Sequence, residues 1–420
     1  MSPLLLDSLL LTFAVFSQAP NGGAPPENEV LRWNRIATDA LEAAATDPLT
    51  ESRILAIVQI SVHDALNAIE PRAVTYTTGV GPAGAAAPDA AVASAAHDAL
   101  VQLFPGAKAT LDEELSRSLT RIADRDLRTR GVDLGRRSAA AILALRAHDG
   151  ADQPIDVPAG TAPGAYRPTP PDETPAMFGQ WGAITPFALQ SSAQFRPVPP
   201  PAVDSALAQR EVALVRAIGG QDSTTRNDEQ SEIARFWYEN STQGWNRIAR
   251  NVARSSELDA WDSARLLALV NIAMADGFIA GFEAKYHYLF WRPATAIRAS
   301  GDGDWLSYLV TPPVPDHPST HTVLGAAAAT VLARFFESDY VAFETTSGQP
   351  YPGLTRRFWS FSEAAQENGQ SRVLAGLHFP SAVRAGYRLG EDVGTWVFEH
   401  ALLPRAVAGE PVASKTALLR

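Results

Sequence analysis

Leu266-Leu-Ala-Leu-Val-Asn-Ile-Ala-Met-Ala-Asp-Gly-Phe-Ile-Ala-Gly-Phe282 decides the fold. It is apolar on nearly every face, and no polar stripe recurs at the helical period. A helix of that kind belongs at the buried centre of a bundle. The helix is predicted to start after a capping-box-like Ser256-x-x-Asp259 and to run to Trp291, where Pro293 ends it. Lys285 and Arg292 fall two turns apart near its end and are expected on one face, with Phe278, Phe282 and Leu289 on or near it. Two cations on an apolar face call for an anion, either acidic side chains or a bound one.

Working outward, helices are predicted over 29–45, 50–69 and 88–103, and over 109–148 with a break near Gly131. Beyond residue 201 they are predicted over 203–218, 225–239, 242–254, 320–337, 362–378 and 383–402. No sustained two-residue alternation and no internal repeat is present, so the class is all-α, helical bundles without a substantial sheet. Between Asp152 and Pro201 lie 12 of the 31 prolines, which excludes regular helix over most of that span. Its aromatics, Tyr166, Phe178, Trp181, Phe187 and Phe195, suggest that it packs on the body. The expected organisation is an N-terminal segment 1–28, a helical bundle 29–150, a Pro-rich connection 151–202, and a second bundle 203–420 that carries the chemistry. His63 and Asp64 read as a helix-face histidine and a surface carboxylate.

The bulk numbers narrow the function. With 420 residues and 46% hydrophobic content, the chain is long and apolar enough for a sizeable core. A net charge of −11 argues against a nucleic-acid surface and against a polybasic membrane patch. The absence of cysteine removes disulfides, thiolate metal sites and cysteine nucleophiles. The apolar runs are all broken by charges, so no membrane span is expected. Leu4 to Phe16 followed by Ser17-Gln-Ala19 has the shape of a cleaved leader, but Asp7 interrupts it and no basic residue precedes it. Export and retention both stay open.

Two further blocks share the composition of an anion site. His317-Pro-Ser319-Thr320-His321 precedes an Ala-rich helical run, which puts Ser319 or Thr320 at a helix N-terminus, where unpaired N–H groups favour an anion. His321 then stands beside that anion, and imidazole suits acid–base work near neutrality. Ser371-Arg372-x5-His378 ends just before Pro380, so His378 is expected on the last turn or just beyond it. Arg372 and His378 do not share a helical face and meet only if Arg372 reaches along the axis.

Lys285-x6-Arg292-Pro293, then Pro318-Ser319-x-His321, then Ser371-Arg372-x5-His378 resemble the signature of the type-2 phosphatidic acid phosphatase superfamily. Two positions depart from it. Thr320 stands where Gly is usual, and Ala382 stands where Asp is usual. Within the superfamily the chain looks most like the vanadium-dependent haloperoxidases. Trp33-Asn34, Ala56-Ile57-Val58, His63-Asp64-Ala65 and Phe236-Trp237-Tyr238-Glu239 add a looser likeness upstream.

The resemblance implies two helical bundles with vanadate at the end of one, a place that phosphate also fits. It implies His378 bonded axially to vanadium, and Lys285, Arg292 and Arg372 on the equatorial oxygens. Ser319 and the Thr320 N–H would donate hydrogen bonds, and His321 would activate hydrogen peroxide. Halide would then be oxidised to hypohalous acid, which halogenates a small organic acceptor. Phe282, Trp291 and His317 are candidates for shaping a halide site, against a plain packing role. Glu239 is a candidate carboxylate behind His321. Ala382 deprives His378 of its usual orienting partner, which weighs against phosphatase chemistry unless another carboxylate substitutes. Three readings stay open: a vanadate-dependent haloperoxidase, an acid phosphatase with His378 as nucleophile, and an oxyanion-binding protein without turnover. A homodimer is compatible with all three.

Overall fold

The computed structural model describes residues 27–405. The leader-like run at Leu4 to Phe16 lies outside them. Among the described residues the architecture is helical, with one two-stranded antiparallel hairpin pairing Phe343–Thr346 with Thr355–Phe358. The helix Ala260–Tyr288 is the centre, as its composition requires. Against it pack Pro48–Ile69, Ser241–Ser255, Thr320–Phe335 and Pro380–His400. By length and apolarity this central helix would suit a membrane, contrary to the sequence expectation, yet its most apolar window is 94% buried inside the fold.

Several boundaries move, each for a local reason. The central helix is capped by Asp259, whose side chain accepts from the Asp262 N–H, so Ser256 only closes the preceding helix. It stops at Tyr288, not Trp291, because Leu289 turns left-handed at φ 46°. Pro293 then opens a separate short helix, Pro293–Ala299, with Arg292 at its N-cap. The predicted break near Gly131 lies instead at 121–124, where Asp124 caps Arg125–Arg146. Gly131 sits inside that helix, where a Cβ would come within 2.5 Å of the Ala87 carbonyl. His63 and Asp64 are not at the surface. Both are fully buried, and Asp64 accepts from the Tyr76 and Thr77 N–H groups and the Thr77 hydroxyl while pairing with His63 Nδ1.

Two features position the site. The helices Thr320–Phe335 and Pro380–His400 touch along Gly386, Gly390 and Gly394, where added Cβ atoms would come within 2.5, 2.3 and 2.6 Å of the Ser319, Val323 and Ala327 carbonyls. That spacing fixes Ser319, whose N–H donates to the Ala382 carbonyl at 3.0 Å. The second feature is the Pro-rich segment, which lies on the central helix as its aromatics predicted. Buried Asp276 accepts from the N–H groups of Phe187, Ala188 and Leu189 at 2.6, 2.7 and 3.0 Å. Arg196 pairs with Glu283, and Phe178 packs edge-on against Phe282.

Asp276→Ala removes the acceptor for three backbone donors at once. Each unsatisfied buried donor costs about 1–3 kcal/mol, so the variant is expected to melt several degrees lower. Limited proteolysis should cut first within 152–201.

Candidate functional site

Lys285, Arg292 and Arg372 are all buried, at 0, 1 and 4% exposure. Among the described residues none of the three forms a side-chain ion pair; their partners are backbone carbonyls. Lys285 Nζ donates to the Pro315 and Asp316 carbonyls at 2.6 and 3.1 Å. Arg292 donates to the Val314 and Leu377 carbonyls at 2.7 and 2.8 Å, and Arg372 to that of Trp237 at 3.2 Å. Burial first, and then the neighbouring Arg292 charge, hold the Lys285 amine well below its usual range. Burial likewise pushes Arg372 down to about 10.

The two cations of the first block do not share a helix face. The left-handed turn at Leu289 takes Arg292 off the helix, and its guanidinium crosses to the link that carries His378. That link is set by Gly376, which is left-handed at φ +78° and presses on Gly219, where a Cβ would come within 2.1 Å of the Gly219 carbonyl. The Leu377 and His378 N–H groups both close onto the Arg372 carbonyl, at 3.0 and 3.3 Å. Arg372 and His378 are therefore tied through backbone, four residues beyond the helix end at Leu374.

His378 has an orienting carboxylate that the signature did not reveal. Its Nδ1 lies 2.9 Å from Asp316 Oδ1, and its Nε2 lies 2.9 Å from Arg292 NH1. These partners assign the proton to Nδ1 and leave the Nε2 lone pair toward the cations. Burial, with Arg292, Lys285, Arg372 and His321 added, keeps the imidazole well below its usual 6.5, so it is neutral. Burial pushes the Asp316 carboxyl up to about 7, against the pull of Arg292 and Lys285.

Ser319 caps the helix Thr320–Phe335 without a side-chain bond to the first turn, so the first-turn N–H groups keep their donors. Its hydroxyl accepts from Thr322 at 2.8 Å. The Cβ of Thr320 does not crowd the centre, because the side chain is turned toward Gly281, where a Cβ would come within 2.6 Å of the Thr320 methyl. His321 Nδ1 meets the Ser241 hydroxyl at 2.8 Å, and its Nε2 is buried without a partner. Burial and Arg372 hold it well below 6.5. Arg372 Nε is a second buried donor without a partner.

The remaining candidates separate. Glu239 does not pair with His321; Arg247 and the Gly348 N–H bind its carboxylate. The partner of His321 is Ser241, two residues on, beyond the capping Asn240. Phe282 packs among Phe178, Phe278 and Tyr286. His317 donates from Nε2 to the Val198 carbonyl at 3.0 Å, and burial pushes it down to about 4. Trp291 lines a small surface cleft with Phe290, Phe379 and Pro201. Sequence reasoning missed Asp316 and Ser241. The position of Asp316 directly before the second block was the one available signal.

A buried set rich in cations and N–H donors suits a small oxyanion. Among the described residues no group of three His, Cys, Asp or Glu side chains gathers as a metal cage would. Neutral Nε2 of His378, the partnerless Nε donor of Arg372 and the unpartnered Nε2 of His321 fit a vanadate or phosphate unit.

The chain is similar to known proteins over most of its length. Residues 265–405 match the family model described as the VCPO second helical-bundle domain. The vanadium chloroperoxidase of Curvularia inaequalis is 25% identical over 479 aligned positions, covering 84% of this chain and 78% of that protein. The crystal structure of the first bacterial vanadium-dependent iodoperoxidase superposes with a TM-score of 0.81 at 27% identity, covering 91% of this chain and 99% of the other. A bacterial vanadium-dependent chloroperoxidase, at 19% identity and a TM-score of 0.69 over 84 and 91%, shares the fold. By fold and sequence the chain is similar to the vanadium-dependent haloperoxidases, through the family model over residues 265–405 and through relatives at 25 and 27% identity.

Asp316→Asn leaves His378 without its anionic partner. Oxyanion affinity should fall by about 10–100-fold with the fold intact, as measured by titrating vanadate or phosphate calorimetrically. The variant should also change stability against pH. A carboxyl raised from 3.8 to about 7 in the folded state stabilises the fold in acid, and that contribution is lost as pH rises through 7. In Asp316→Asn the loss over this window should disappear from urea midpoints taken across it.

Proposed function

We propose that the cup binds vanadate and that the protein oxidises halide with hydrogen peroxide. The observation that carries this reading is the set of three buried basic side chains, none in an ion pair among the described residues, gathered around the neutral His378. His378 would hold the vanadium, Lys285, Arg292 and Arg372 would neutralise its oxygens, and Ser319 with the Thr320 N–H would donate to them. Vanadate supplies an electrophilic centre on which peroxide becomes a two-electron oxidant. His321, kept neutral by burial and anchored by Ser241, accepts a proton at Nε2 from incoming peroxide and returns it to the hydroxide or water that leaves. The product is hypohalous acid or its equivalent, which halogenates a small organic acceptor. Phosphate competes for the same cup.

One observation favours a second reading, phosphoester hydrolysis. Asp316 orients His378 as a nucleophile requires, so Ala382 no longer counts against it.

Purified protein should brominate or iodinate a dione dye only when vanadate and peroxide are both present, and phosphate should inhibit. Nitrophenyl phosphate hydrolysis in place of halogenation establishes the second reading. Neither activity with vanadate still bound leaves only oxyanion binding.

His378→Ala is expected to abolish vanadate binding in calorimetry. His321→Ala should retain binding and lose turnover by about 10²–10⁴-fold, the usual size of a general acid–base contribution.

A further inference from the structure

The Pro-rich segment brings one side chain to the cup that the reading above does not use. Tyr166 is 1% exposed, and its hydroxyl is enclosed without a hydrogen-bond partner. Its backbone is clamped to the chain just before Arg292. The Tyr166 N–H donates to the Leu289 carbonyl at 2.7 Å, and the Trp291 N–H donates to the Gly164 carbonyl at 2.9 Å. Between them Ala165 bridges Phe290. The ring position is therefore set by two ladder bonds, not by a mobile loop.

What surrounds the hydroxyl is selective. The Arg292 guanidinium lies close enough for its charge to act on the phenol. Tyr286 is the other polar neighbour, and its hydroxyl is already donated to the Met177 carbonyl. The Tyr286 ring lies 6.0 Å from that of Phe282, which packs in turn on Phe178 and Phe278. The phenol thus has a proton to give, a cation beside it, and no protein acceptor. A bridging water needs two or more polar partners, and the hydroxyl has no protein group within hydrogen-bond distance. A large, weakly hydrated anion takes the phenol proton, the Arg292 charge and an aromatic wall together.

We propose that Tyr166 donates a hydrogen bond to the halide substrate, at a position between the Arg292 guanidinium and the aromatic group of Tyr286 and Phe282. The inference rests on the haloperoxidase reading and adds a binding residue to it. Tyr166 sets how tightly halide is held, and the cup sets how it is oxidised.

Two measurements test it. Crystals of the wild-type protein soaked in bromide should give an anomalous peak within hydrogen-bond distance of Tyr166 Oη. No peak there, or a peak only elsewhere, overturns the inference. Tyr166→Phe keeps the ring and removes the donor. Its KM for halide should rise about tenfold, since a hydrogen bond to a charged group is lost, with KM for peroxide and vanadate affinity unchanged. An unchanged halide KM overturns the inference, and so does a fall in vanadate affinity, which would place the phenol on the oxyanion. If Tyr166→Phe does not fold, the bromide peak decides alone. If the wild type oxidises no halide, the proposed function fails, while the bromide peak still reports separately whether the position exists.

Discussion

The structure depends on holding three basic side chains inside protein against peptide carbonyls and one neighbouring carboxyl, Asp316. Taking one such ion out of water costs several kcal/mol even after relaxation. Carbonyl oxygens of Pro315, Asp316, Val314, Leu377 and Trp237 offset part of that. They do not cancel it, and burial holds both Lys285 and Arg372 below their usual ranges. An arriving oxyanion supplies the missing charge without displacing a carboxylate. Stability and binding are then one quantity, because a ligand that binds only the folded chain stabilises it in proportion to the logarithm of its concentration over Kd.

Such strain persists only where the backbone is over-determined, and the sequence supplies that with small residues. Glycines every four positions along Gly386, Gly390 and Gly394 bring one helix against the carbonyls of another and fix Ser319. Gly376 turns the chain so that His378 falls back over Arg372. Gly281 opens the space that the Thr320 methyl takes. The departure of Thr320 from the usual glycine is thereby absorbed by a glycine on the facing helix, and the first-turn N–H groups survive it.

Patterning made the centre of the fold legible, because an all-apolar helix has one physical destination. The three blocks were legible as chemistry only together, because each alone has an ordinary structural use at a helix end and their order and spacing match one signature. The geometry linking them was harder to read. Lys285 and Arg292 looked like two turns of one helix, but the left-handed Leu289 breaks the helix between them, and a non-glycine residue gives no warning of a positive φ. Glu239 stood as a candidate carboxylate behind His321. Arg247, two turns into the next helix, claims it instead, as only packing could reveal. The break assigned to Gly131 shows the same ambiguity, since a helix glycine can signal a stop or a close neighbour.

Asp316 bears on what separates the two chemistries this scaffold supports. In the signature the orienting carboxylate follows the histidine by four residues, at the position Ala382 holds here. Here it comes from 62 residues earlier, in the link that also gives its own carbonyl to Lys285. One residue therefore touches both the imidazole and a cation of the cup. Burial pushes its carboxyl up to about 7, while burial and the surrounding cations hold His378 well below its usual range. A nucleophilic histidine needs that carboxylate ionised throughout turnover, to stabilise positive charge on the ring. A histidine that only lends a lone pair needs its Nδ1 proton held, a weaker demand that survives a fractional charge. Asp316 meets the geometric demand of either role, and the upward direction of its shift, toward the neutral acid, is the easier to reconcile with a ligand.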